Sequence, residues 1–220
     1  ATGLLKHHAT SHPVSATGQT EAMPAPASED ATEYSNMPDL AWMGWLFSGI
    51  GCMAITLIRG LFPCTGVDCR LARIDQGLIL CTLSATQALL GFALGWARQW
   101  MYRPLPVLAF GVCGVLGLVL IAVARTTSVF YLATFMFGLY SGSFFFYLVF
   151  HSLVHSEKSA CYVSVNEAIV GLTSMAGPFL GGIVADRYAP GTSYLMVAGI
   201  VVMAVVVQTY LHTKLAISRY

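Results

Sequence analysis

Charge is what this sequence has least of. Only 10% of its 220 residues are Asp, Glu, Lys or Arg, where a soluble domain carries about 25%. With 56% hydrophobic residues and a mean hydropathy of +0.70, the chain has too few charges to cover a water-exposed surface, which predicts residence in a lipid bilayer. A net charge of +1 leaves no electrostatic footprint for a nucleic acid. Enzyme signatures are missing as well: there is no GxSxG, no Walker loop and no HExxH, so no enzymatic activity is expected. The glycine run of "GPFLGGIVADRY", residues 177–188, lacks the Gly-Lys-Ser/Thr ending of a phosphate loop and follows no strand. Cys64 and Cys69 in "CTGVDC" have no second CxxC and no histidine cluster beside them. That argues against zinc; no cofactor is expected, and a short disulfide or two free thiols both stay open.

What is present divides into a tail and six apolar runs. Residues 1–40 are rich in Ala, Thr, Ser, Pro and Gly and have no hydrophobic period, which predicts a flexible tail or linker. Its histidines, His7, His8 and His12, and its acidic cluster from Glu21 to Asp39 read most simply as solvated groups. The runs then cover 41–58, 77–97, 104–124, 129–154, 168–185 and 194–211, and none contains Asp, Glu, Lys or Arg. Each approaches the length a helix needs to cross a bilayer, and none alternates in polarity as a barrel strand does. The expected architecture is an all-α membrane protein: a six-helix bundle over 41–212 and a short tail over 213–220. Small-xxx-small pairs at Gly91 and Gly95, Gly138 and Gly142, and Gly177 and Gly181 predict tight helix crossings. Arginines and lysines are balanced across the connections, with Arg59, Arg70, Arg73, Arg125 and Arg187 on one side, so charge does not orient the bundle.

Polar groups inside a membrane are the default pointers to function. In the fourth run Tyr140, Phe144, Tyr147 and His151 recur at helical spacing on one face, with Ser143 nearby. This stripe reads either as a substrate-lining, proton-handling face or as an interfacial aromatic belt with His151 at headgroup level. Gln87 is the amide deep in the second run; it would bond a neighbouring helix or a ligand. Glu167 opens the fifth run as a carboxylate favoured by the helix dipole, or as a gating or proton-coupling group.

The fourth and fifth runs carry a resemblance. "FMFGLYSGSFFF" and "SVNEAIVGLTSMAGPFLGGIVADRY" are similar to the fourth and fifth helices of a six-helix half in the major facilitator superfamily of secondary transporters. Gly171, Gly177, Pro178, Gly181 and Gly182, followed by Asp186 and Arg187, match a GPxxGG element and an xADR-type end. Between the second and third runs "GWARQWMYRP" lacks the aspartate of the family's G-x-x-x-D-R-x-G-R signature, which aligns the chain with the carboxy-terminal half. The resemblance implies alternating-access transport of a small solute, in the plasma or inner membrane, with both termini cytoplasmic. The partner would be an amino-terminal six-helix half or a second copy of the chain. It also implies a pathway lined by the first and fourth helices, which adds Ser48 and Cys52 to Tyr140, Ser143 and Tyr147, with Gln87 opposite. The glycines, Pro178, Asp186 and Arg187 would serve packing and gating. The missing aspartate and the single half leave an alternative, a non-transporting structural subunit of a larger membrane complex.

Overall fold

The computed structural model describes residues 41–97, 104–153 and 159–217. The expected tail 1–40, and Arg98, Arg103 and Lys158 of the connections, lie outside them. Among the described residues there are six helices: α1 Ala41–Asp68, α2 Arg73–Trp96, α3 Pro104–Val123, α4 Thr127–Leu153, α5 Ser159–Arg187 and α6 Pro190–Ile217. All six are long and apolar enough to span a membrane. The protein is an all-α, multi-pass membrane protein.

α1, α5 and α6 outrun their apolar segments by six residues or more at one end. α1 continues past Ile58 through Arg59 and Pro63 to Asp68. α5 begins nine residues before 168, at Ser159, and α6 runs on through Lys214 to Ile217. A helix satisfies its backbone internally, so a charge that ends an apolar run does not end the helix. The end of α1 is set by backbone geometry instead. Leu71 N–H donates to Gly66 C=O at 2.8 Å and Arg70 N–H to Val67 C=O at 2.9 Å. Arg70 adopts a φ of 56°. This is a Schellman cap with arginine in the left-handed position that glycine usually fills. "CTGVDC" therefore belongs to the end of α1 and its cap, and both cysteines are free thiols.

The six helices pack as two interlocked sets of three. α1 lies against α5 and α2 against α4; α3 packs on α4 and on α6, and α6 on α1. Replacing each helix by the one three places on exchanges α1–α5 with α4–α2, and α3–α4 with α6–α1. It leaves α1–α4 and α3–α6 unchanged. The match is incomplete, since α5–α6 packing has no equally extensive α2–α3 counterpart. Three is odd, so the second set enters the membrane from the opposite side and the two sets are inverted relative to each other.

The same relation holds residue by residue at the centre. In Phe47-Ser48-Gly49 on α1 the serine and glycine face α5, and in Tyr140-Ser141-Gly142 on α4 the serine and glycine face α2. Ser48 Oγ donates to Asn166 Oδ1 at 3.2 Å, and Ser141 Oγ to Gln87 Oε1 at 3.4 Å. A Cβ on Gly49 would sit 2.9 Å from Ile169, and one on Gly142 would sit 2.8 Å from the Gln87 carbonyl and 3.0 Å from Leu90. Ile169 follows Asn166 by three residues, as Leu90 follows Gln87. Phe47 and Tyr140 meet edge to face with centroids 5.3 Å apart. Two serines thus each clasp an amide across a glycine contact, where lipid supplies no hydrophobic drive and packing and hydrogen bonds must hold helices together.

Candidate functional site

The α4 stripe lies inside the bundle. Tyr140, Ser143 and Ser48 have no exposed surface, and Tyr147 and Cys52 have almost none. α1 covers them. Phe47 stacks edge to face on Tyr140, Phe144 and Tyr147, and Gly51 leaves just enough room for the Phe144 ring. Edge-to-face contacts set the positive ring edge on a negative face, so the cluster is held by more than area. Ser143 Oγ turns back to the Tyr140 carbonyl at 2.7 Å. The Tyr140 hydroxyl is buried and finds no hydrogen-bond partner among the described residues. Of the expected pathway residues, Tyr140 and Tyr147 therefore lie against Phe47 of α1, Ser48 turns to Asn166 of α5, and all three are buried. His151 falls in the last turn of α4, and its side chain is outside the described ones.

Gln87 is placed differently. It borders a groove of about 400 Å³ between α1, α2 and α4, together with Arg59, Ser84, Gly142, Phe145 and Phe146. Gly91 and Phe146 also border an adjoining groove of about 450 Å³. Ser84 stands at the middle of α2, and Arg59 about one turn past the middle of α1. Arg59 Nη2 donates to Ser84 Oγ at 3.4 Å. A guanidinium therefore reaches the central depth of a spanning helix. No ion pair to Arg59 exists among the described residues. In the sequence Arg59 ends an apolar run and so reads as a connection charge. The signal that corrects this is local: "GLF" follows it at once, so the apolar segment resumes.

Glu167 is exposed and lies eight residues inside α5. The helix dipole acts on the first turn, so it does not account for this carboxylate. Gly177 and Gly181 press on α1: a Cβ at 177 would strike the Met53 carbonyl, and one at 181 would come 2.6 Å from Leu57. Pro178 sits inside the continuous α5, with Gly60 of α1 opposite its ring. At Gly171 and Gly182 an added Cβ would meet nothing within 4 Å among the described residues. Asp186 and Arg187 are exposed in the last turn of α5 and form no ion pair with each other. Among the described residues no three His, Cys, Asp or Glu side chains gather where they would hold a metal ion. Comparison with family models, with curated proteins and with solved structures gave no match.

Proposed function

We propose that this chain is a six-helix half of a secondary transporter of the major facilitator type, moving a small solute by alternating access. One observation carries the reading: two inverted three-helix sets border a groove whose polar groups stand near the middle of their helices. Inverted repeats with a mid-membrane site between them are the architecture on which rocking-bundle transport is built. The resemblance of α4 and α5 to that family points the same way.

Exposure supports a half that works against something else. In the most apolar stretch of α1 67% of the residues are buried, against 22% in α2 and 11% in α5. α2 shows Leu78, Leu89 and Phe92 outward, and α5 shows Leu172, Met175 and Phe179. An amino-terminal half or a second copy would lie against these faces, with lipid around the rest. Purification from native membranes in mild detergent, followed by reconstitution into liposomes, tests the reading. Uptake of labelled small solutes by a preparation of this chain and a second six-helix unit is the expected result. A preparation that moves no solute and migrates with a multisubunit complex would favour the structural-subunit alternative.

A further inference from the structure

We propose that the Arg59–Ser84–Gln87 groove is a binding site for a small organic carboxylate with an apolar body. An arginine at the depth of Arg59 is costly to keep in lipid, and such residues normally pair with an acid or line a watery path. Here its polar partner is a neutral hydroxyl, Ser84 Oγ, at 3.4 Å. A serine accepts one N–H and leaves the rest of the guanidinium fork free, and that fork matches a carboxylate two bonds at a time. Gln87 stands one turn along α2 from Ser84 and lines the same groove. Its Oε1 accepts from Ser141 Oγ, which leaves the Nε2 donors for a ligand. The groove therefore presents donors from two helices and no carboxylate of its own.

The walls define the rest of the ligand. Phe145 and Phe146 border the groove, and the glycines at 91 and 142 keep its floor low. A volume near 400 Å³ falls in the range of small-molecule pockets. Apolar walls beside one cationic end disfavour a fully hydrated inorganic anion and suit an amphipathic acid.

The inverted repeat provides an internal control. Gln87 corresponds to Asn166, so Ser84, three residues earlier, corresponds to Val163. The mirrored position carries no hydroxyl, although the helix pair there packs as extensively. The Arg59–Ser84 contact is therefore no requirement of the repeat's packing.

This inference rests on the transport reading for its biological sense and deepens it by naming a class of solute. Its test reads binding and not uptake, so the two fail separately. The full chain is placed in nanodiscs of neutral phosphatidylcholine and titrated calorimetrically with benzoate and with its uncharged near-isostere benzamide. Benzoate is expected to bind at least about tenfold tighter, the scale of one charge-assisted hydrogen bond. Arg59→Gln should remove that preference and leave benzamide unchanged. Should Arg59→Gln fail to insert, Gln87→Ala carries the same test, with benzoate weakened about threefold or more and benzamide weakened less. Equal binding of the two probes, no benzoate binding, or full benzoate affinity in a folded variant would overturn the proposal. Nanodiscs doped with phosphatidylglycerol separate the sources of the anion. Loss of benzoate binding in proportion to the anionic lipid would mean that a headgroup fills the site, and the assignment to a solute would fall.

Discussion

Tyr140 and Tyr194 form a natural pair of opposites. Both are fully buried. The Tyr194 hydroxyl meets Thr65 Oγ1 at 3.0 Å, whereas the Tyr140 hydroxyl meets no partner among the described residues. A buried polar group left unpaired carries its whole desolvation cost, while a paired one returns about 1 kcal/mol. Tyr140→Phe should therefore be neutral or stabilising by up to about 1 kcal/mol, and Tyr194→Phe destabilising by about 1 kcal/mol. Thermal unfolding of the two variants in the same detergent checks this; a loss at Tyr140 as large as at Tyr194 would mean that Tyr140 has a partner after all. The periodicity of Tyr140, Phe144 and Tyr147 made the stripe legible in the sequence. What covers it was not legible, because that depends on Phe47 and Gly51, some ninety residues away. Arg59 was legible as a charge, and the "GLF" after it marks the apolar segment as continuing; its contact with Ser84 on another helix was not legible.

Arg70 holds a left-handed φ at the cap of α1, a conformation that costs a side-chain-bearing residue about 1 kcal/mol. Arg70→Gly should relieve it and raise stability by up to about 1 kcal/mol, read as a rise in midpoint temperature; a fall would show that the arginine side chain does something the cap geometry does not explain. On α5, Gly177 and Gly182 make a matched comparison. Gly177→Ala drives a methyl into the Met53 carbonyl, a backbone atom that cannot rotate away, and overpacking of this kind costs about 1–3 kcal/mol. Gly182→Ala meets nothing and should gain up to about 1 kcal/mol of helix propensity. Equal stability of these two variants would contradict the packing described. The glycine-rich character of this helix was plain in the sequence. Which glycines touch α1 was not, because Gly181 and Gly182 are neighbours in sequence on different faces.

At the scale of the whole molecule the inverted three-helix sets are the central claim, because the groove and the transport reading both rest on them. Six spans were countable from the apolar runs alone. The mirrored pairing was hidden, since the two central segments share only Phe/Tyr-Ser-Gly and their partners, Asn166 and Gln87, differ by a methylene. Two hydrogen-bonded contacts report it directly. Double-cysteine variants Ser48→Cys with Asn166→Cys, and Gln87→Cys with Ser141→Cys, would be made in a background free of native cysteines and oxidised in intact membranes. Cysteines bridge only when their Cα atoms lie within about 7 Å. Both pairs are expected to cross-link, joining α1 to α5 and α2 to α4. A bundle in which neither pair cross-links while the protein remains folded would contradict the mirrored fold, and with it the account of the groove and its solute.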